Sequence, residues 1–455
     1  MLREFCITKF ASINKPVTLQ LGRTTLIIGN NGAGKTAICD AISCLFDYRS
    51  AFSQRGRFSG DALLQGTVSK NEGLETVIER ELKLSEKVVI EDHLRINKME
   101  TSDFDSLSSI LKVVYIEDRL PNKMKTDQDY TEFCLEYLSG WKGELIQHYF
   151  YLLHPFTKIF NSDANRMIEE IKWLPEGKLL VKQWVDKGTQ VSTFGDLSDS
   201  QRLILLVETA LCLGKIFSRF RPTLLLFDSI PTGLDESNLK RLSNRINSVP
   251  NPSLQFIFTT WREEVDDILC ADHTIRLEKQ KYNSIVSSTK IRIPVGILHI
   301  EEKIKCYQPG NEDEFINSII LPLLTRMGFS LVSRVQHHGP GELGIDIGPY
   351  IGSGFEWRKA FCGAQVKCAK LNASSGNKYN VNALIDEVKK AIHNKFFDMT
   401  NATESKLDYV LIFLSQYPSN EALTTFNNAF LGERKVILLN PMRIAELIWK
   451  YGVSI

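Results

Sequence analysis

The sequence holds no apolar run as long as the roughly 18 residues a membrane-spanning helix needs, no C-x-x-C pair, and no repeated or low-complexity tract. Without such a run no membrane partner is expected. The opening MLREFCITKF also lacks the long apolar core of a signal peptide, so a cytoplasmic location is expected. The nine cysteines are scattered, which argues against a zinc hook, a zinc ribbon or a disulfide framework. All nine are expected to be reduced and mostly buried. Charge of one sign is missing too: 55 Lys and Arg against 54 Asp and Glu give a net charge of +1. That excludes a broadly basic nucleic-acid coat but leaves room for a local basic groove. What remains is a chain of 455 residues with 43% hydrophobic and 24% charged residues, an ordinary globular composition too long for one core. Two or three domains are expected.

The chain opens with strand-like pieces, FCITKF, VTLQL and TTLIIG, the last running into a glycine loop and a helix, KTAICDAISCLF. ETVIERELKL, KVVIEDHLRI and LKVVYIED read as further strands. A helical, aromatic insert is expected over about 120–175, and a helix again in SDSQRLILLVETALCLGKIF. PTLLLFD and SLQFIFTT read as buried strands around the helix SNLKRLSNRINS. The first domain is expected to span 1–280 and to close after HTIRLEK. Residues 281–311, polar and turn-like, read as a linker or a small bridging strand, and a second αβ pattern fills 312–455.

GNNGAGKT matches G-x-x-x-x-G-K-[ST] between a strand and a helix, the context that motif requires. Gly29, Asn30, Asn31, Gly32, Ala33 and Gly34 would wrap phosphates with main-chain N–H groups. Lys35 would reach the β and γ phosphates of ATP, and Thr36 would hold Mg²⁺. TLLLFD ends an apolar strand in Asp228, placed to complete the Mg²⁺ shell. LSDSQR, with Ser198, opens a helix between these motifs, and GLD, with Asp235, follows them.

In that order the motifs resemble ABC-type ATPases of the SMC/RecF branch, close to the AAA-15 and overcoming-lysogenization groups. The resemblance covers residues 1 to about 280, with LSDSQR similar to the signature motif and GLD to the D-loop. It implies that ATP is sandwiched between two heads, with Ser198 of one protomer capping the nucleotide of the other. A homodimer or a higher even-numbered oligomer is therefore expected, although Ser198 also suits an ordinary helix N-cap. Two positions depart from the family. Ser229 stands where a glutamate usually polarises the attacking water, and Trp261 stands at or near a usual histidine. A serine is no base at neutral pH, so slow hydrolysis is expected, with ATP acting as a latch. Gln54 and Gln65 are the candidates for the Q-loop. No heptad run long enough for an SMC arm is present, so a cohesin-like clamp is not expected.

In the second half LGIDIG precedes CGAQVKC. Gln365 and Lys367 share a face of a strand because side chains alternate, and Asp346 would approach from the neighbouring strand. Mg²⁺-dependent phosphodiester cleavage needs this combination: oxygens to hold the metal, here Asp346 and Gln365, and a lysine near the attacking water. A lysine reaching solvent from a strand edge, and a turn aspartate, are the plain alternatives. The order of helix, strand, aspartate and Q-x-K strand over 312–440 resembles the Mrr-like branch of the PD-(D/E)xK nucleases. That resemblance implies a further acid in the first helix, matched to Glu314 with Glu312 and Asp313 nearby. Arg358, Lys359, Lys370, Lys378, Lys389, Lys390 and Lys395 are basic residues that could line a phosphate groove.

The expected fold is thus α/β, an ABC-type P-loop ATPase head with a helical insert followed by a smaller α/β restriction-endonuclease-like domain. The expected function is an ATP-gated, Mg²⁺-dependent nuclease. The resemblance implies a setting in prokaryotic antiviral defence or restriction. DNA is favoured over RNA as the nucleic-acid partner, and a neighbouring-gene effector is a further partner left open. The alternatives are a RecF-like repair ATPase, or an ATPase scaffold whose C-terminal domain binds without cutting.

Overall fold

The computed structural model describes residues 1–453 apart from 12, 14, 47–59, 70–74, 86–87, 102–106, 108–109, 118–119, 140–149, 163–165, 175–177, 186–187, 249–250, 252, 281–282, 331, 334–343, 353–359, 374–378, 399–402 and 432–434. Gln54, Arg358, Lys359 and Lys378 lie outside the described residues. Two compact units emerge, Met1–Ser248 with Pro252–Pro294, and Val295–Ile455.

The first unit carries strands β1 (Leu2–Lys9), β2 (Val17–Gln20), β3 (Thr24–Gly29), β4 (Gly60–Ser69), β5 (Glu75–Ser85), β6 (Val88–Ile96), β7 (Met99–Thr101) and β8 (Lys112–Glu117). It continues with β9 (Ile168–Trp173), β10 (Leu179–Val185), β11 (Gly188–Thr193), β12 (Thr223–Asp228), β13 (Leu254–Thr260), β14 (His273–Gln280) and β15 (Asn283–Ile291). The central sheet has the order β15-β14-β3-β13-β12-β8, parallel throughout except for β15. Every residue of β12 and β13 is buried. TLLLFD and LQFIFTT therefore read as mostly apolar runs without alternation, because helices cover both faces of a parallel sheet. Leu225, Phe227 and Phe258 meet Leu206 and Ala210 of the helix Asp199–Phe217 on one face. Ile27, Leu224 and Leu226 meet Ile38 and Ile42 of the helix Lys35–Phe46 on the other. The parallel strands end at one edge, and that edge receives the P-loop. An antiparallel sheet, β2-β1-β4-β5-β6-β7, packs on the same helix through Leu64, Ile78 and Leu45.

Two expectations change. The insert is helical at Leu120–Lys123, Asp127–Ser139 and Phe150–Asn161, but β9 begins a three-stranded sheet, β11-β10-β9, before its expected end at 175. Of the two readings of 281–311, linker or strand, the strand holds and the linker does not. β15 pairs with β14 from Gln280↔Asn283 to His273↔Ile291, and Val295–Lys305 is a helix of the second unit. β15 reads as polar because it is an edge strand with its final residues exposed. The helix keeps Ile297, Ile300 and Ile304 in the core.

The second unit holds β16 (Phe329–Ser330), β17 (Ile347–Gly352), β18 (Phe361–Lys367), β19 (Lys395–Asp398), β20 (Thr403–Lys406), β21 (Tyr409–Leu414) and β22 (Val436–Leu439). Five of them form the sheet β16-β17-β18-β21-β22, with β17 antiparallel to β18 and the last three parallel. Cys362, Ala364, Val366 and Cys368 face a core built with helices Val295–Lys305 and Pro441–Tyr451. Phe361, Ile412 and Leu414 face the opposite core, formed with helices Val381–His393 and Asn420–Ala429. Gln365 and Lys367 alternate onto that second face. Among the described residues no helix is long and apolar enough to cross a membrane.

Candidate functional site

In the first unit the P-loop leaves β3 at Gly29 and enters the helix at Lys35. Gly32 and Gly34 adopt φ of 81° and 96°, a region open to glycine at little cost, so the loop can turn its N–H groups inward. Gly29 is required for room, since a Cβ there would lie 2.8 Å from the Leu277 carbonyl oxygen. Lys35 Nζ donates to the carbonyls of Gly29 and Asn30 at 2.6 and 3.1 Å. Burial lowers its pKa, and the nearby Asp228 carboxylate opposes that shift. Thr36 Oγ1 donates to Asp228 Oδ2 at 2.8 Å, and Thr259 Oγ1 donates to Oδ1 at 2.7 Å. The hydroxyl and the carboxylate named from sequence as Mg²⁺ ligands are thus side by side, an oxygen donor set that suits Mg²⁺. Asn31 and Ala33 lie in the same loop, with Ala33 buried.

Ser198 caps the helix Asp199–Phe217 in a capping box. Its Oγ accepts from the Gln201 N–H, and the Gln201 side chain accepts from the Ser198 N–H at 2.8 Å. Asp235 precedes the helix Glu236–Ser248 and accepts from the Asn238 N–H at 2.7 Å. Ser229 sits in the left-handed region at φ 60°, with its N–H on Thr259 Oγ1. Trp261 follows β13 with 54% of its surface exposed. Gln65 is no Q-loop residue: it lies within β4, paired with Cys6 of β1 in the antiparallel sheet. The residue beside Asp228 that sequence reasoning missed is Glu117, which ends β8 directly opposite it and is 1% exposed. The only signal for it was the acidic pair closing LKVVYIED.

In the second unit Asp346 lies just before β17 and its Oδ2 accepts from the Val366 N–H at 2.7 Å. With Ile347 opposite Ala364, the antiparallel register sets Asp346 across from Gln365. Gln365 is 3% exposed, and its Oε1 is buried without a hydrogen-bond partner. Lys367 Nζ pairs with Glu387 Oε2 at 2.8 Å, a residue of the helix Val381–His393 that sequence reasoning also missed. Burial penalises the Lys367 ammonium most, but Glu387, Asp346 and Glu312 together hold its pKa above the ordinary value. Gly344, at φ 83°, lets this corner close. A Cβ there would lie 2.2 Å from the Glu387 carbonyl oxygen.

Glu314 does not join this group. It accepts from Asn311 and lines a separate cleft with Lys303, Tyr307 and Ser318, whereas Glu312 acts on Lys367 and Cys368. Two positions along a helix turn a side chain through about 200°, so Glu312 and Glu314 face different ways. Burial, with Glu312 and Asp346 adding to it, pushes the Cys368 thiol up to about 12, so it is no nucleophile. Among the described residues no three His, Cys, Asp or Glu side chains converge to hold a metal. Asp346 and Gln365 would have to be completed by main-chain, water or substrate oxygens. Lys370, Lys389, Lys390 and Lys395 are exposed.

No curated protein matches the chain. Among solved structures it is similar to an SMC head bound to the C-terminal winged-helix domain of ScpA, at 17% identity and a TM-score of 0.47, covering 64% of this chain and 97% of that one. It is also similar to the SMC head domain from Thermotoga maritima, at 17% identity and TM-score 0.38, covering 64% and 99%. The recombination mediator RecF with bound nucleotide matches at 15% identity and TM-score 0.44, covering 63% and 98%. The family model for the RecF/RecN/SMC N terminal domain matches residues 1–285, and the chain belongs to that family.

Proposed function

We propose that this protein is an ATP-binding, Mg²⁺-dependent nuclease, in which an SMC/RecF-like ATPase dimer gates phosphodiester cleavage by a PD-(D/E)xK domain of the Mrr-like kind. The observation that carries the nuclease half is the buried, unpartnered Oε1 of Gln365, set across from the Asp346 carboxylate and two residues from Lys367. A buried amide oxygen without a partner costs about 1–3 kcal/mol, a cost that a metal ligand does not incur once the ion is bound. Asp346 and Gln365 are the oxygens that would hold Mg²⁺, which when bound supplies an activated water and offsets charge at the scissile phosphate. Lys367, kept cationic by Glu387, orients the phosphate and stabilises charge that grows on it. It is not the base, because a lysine held protonated has no lone pair to accept a proton.

In the first unit, Thr36 and Asp228 would hold the Mg²⁺ of ATP while Lys35 and the loop N–H groups take its phosphates. DNA, ahead of RNA, is the proposed target, and a role in prokaryotic defence or restriction is the proposed setting.

The test is cleavage of plasmid DNA by purified protein with Mg²⁺, with and without ATP, beside Asp346→Ala and Lys367→Ala. The expected result is cutting that both substitutions lower by at least about 100-fold, with the ATP lanes giving the sign of the gate. Uncut DNA and RNA in every lane would return the second unit to a binding module, as in the RecF-like alternative.

A further inference from the structure

We propose that Glu117 is the carboxylate that polarises the attacking water in ATP hydrolysis, taking the part that Ser229 cannot play. The inference rests on the reading of the P-loop site as an ATP site. It replaces the expectation of slow hydrolysis, with ATP as a latch, by that of a working ATPase.

β8 and β12 are adjacent parallel strands, paired from Thr223↔Lys112 to Asp228↔Glu117. Neighbouring strands lie about 4.8 Å apart, so the two acids end side by side at the edge where the P-loop sits. Their faces agree. Tyr115, two residues before Glu117, donates its hydroxyl to Asp40 of the P-loop helix at 3.0 Å. Leu224 and Leu226, at the same parity as Asp228, pack in the core shared with that helix. Alternation therefore directs Glu117 and Asp228 alike toward Lys35 and Thr36.

The roles of the two acids differ. Both oxygens of Asp228 are engaged, by Thr36 and Thr259, which fixes it as the residue beside the Mg²⁺ position. Ser229 has no carboxylate, and its backbone is tied down in a left-handed conformation by Thr259. Glu117 is one methylene longer than Asp228 and is 1% exposed. A buried carboxylate at the phosphate-facing edge of the sheet would meet the cationic, phosphate-filled site that ATP and its Mg²⁺ make. In the reaction the water oxygen bonds to the γ-phosphorus while the bond from that phosphorus to the β–γ bridging oxygen breaks. ADP leaves with the bond's electrons, and the water's proton passes to Glu117 and then to solvent.

The experiment compares the full-length wild type with Glu117→Gln in three assays: phosphate release from ATP, binding of a fluorescent ATP analogue, and thermal melting. The expected result is turnover lowered by about 100-fold or more, the loss of a general base, with analogue affinity within about three-fold and melting unchanged. Turnover retained in E117Q would overturn the proposal. So would a wild type that binds the analogue yet releases no phosphate. Analogue binding absent from the wild type would remove the ATP reading itself, and the proposal with it. Should E117Q fail to fold, Glu117→Asp decides. A folded E117D with turnover cut at least about ten-fold supports the role, and wild-type turnover overturns it.

Discussion

At the scale of single residues, the corner formed by Asp346, Gln365 and Lys367 depends on two neighbours that carry no signature. Gly344 combines φ of 83° with a backbone approach that leaves no room for a methyl group. Gly344→Ala is expected to cost about 2–4 kcal/mol, from strain plus overlap, read as a lowered denaturation midpoint in urea. Glu387 holds Lys367 in its charged form against the penalty of burial. The sign follows directly: removing a group that raises the pKa leaves burial less opposed, so Glu387→Gln lowers it. Acylation of Lys367 at pH 8, followed by peptide mass spectrometry, is expected to be several-fold faster in E387Q. An unchanged rate would mean that the ion pair does not set the lysine's charge. Sequence reasoning reached the P-loop because its chemistry needs adjacent residues. It reached Gln365 and Lys367 because strand alternation is fixed. It did not single out Glu117 or Glu387, and it matched the helix acid to Glu314 with Glu312 only nearby, since the facing side of a separate element is set by packing.

At the scale of elements, β15 was legible only as one of two readings, because an edge strand with polar outward residues looks much like a linker. What fastens its end is Arg292, donating to Asp266 Oδ2 at 2.8 Å and also to Oδ1. Asp266 further accepts from Thr274 Oγ1 at 2.6 Å and is 4% exposed. Burial alone would raise the Asp266 pKa, but the bonds from Arg292 and Thr274 outweigh it and hold it below the ordinary value. A depressed carboxylate pKa contributes stability that is complete above the unfolded value. That contribution is lost as pH falls from about 4 through the lowered folded value. Asp266→Asn is therefore expected to cost about 2 kcal/mol at neutral pH, discounted for the partial exposure of Arg292. The difference between variant and wild type should shrink below pH 4. Urea titrations at pH 7 and pH 3.5 measure both, and a pH-independent difference would show that the ion pair is not the source. The buried parallel strands were legible because double-sided burial leaves a mostly apolar run, whereas β9 sits at the end of a stretch whose aromatic residues suggested helix.

At the scale of the whole molecule, the question is whether ATP joins two copies of the chain through Ser198. Its hydroxyl already has local work, accepting from the Gln201 N–H at 3.3 Å to start its helix. A variant that removed the hydroxyl would confuse a lost cap, worth about 1 kcal/mol, with a lost interface. Ser198→Asp separates the two. Aspartate caps a helix as well as serine does, so melting is expected to stay within about 1 °C. Its charge, however, would face the triphosphate of a partner protomer if the nucleotide is shared, and like charges across an interface oppose association. With a non-hydrolysable ATP analogue, light scattering is expected to show wild-type dimers and S198D dimers weakened at least about ten-fold. Binding of the analogue to the monomer should be unchanged, because the P-loop of the same chain supplies those contacts. If S198D dimerises as the wild type does, the signature serine does not reach across to a second nucleotide. The proposed gating of the second unit would then have to work within one chain.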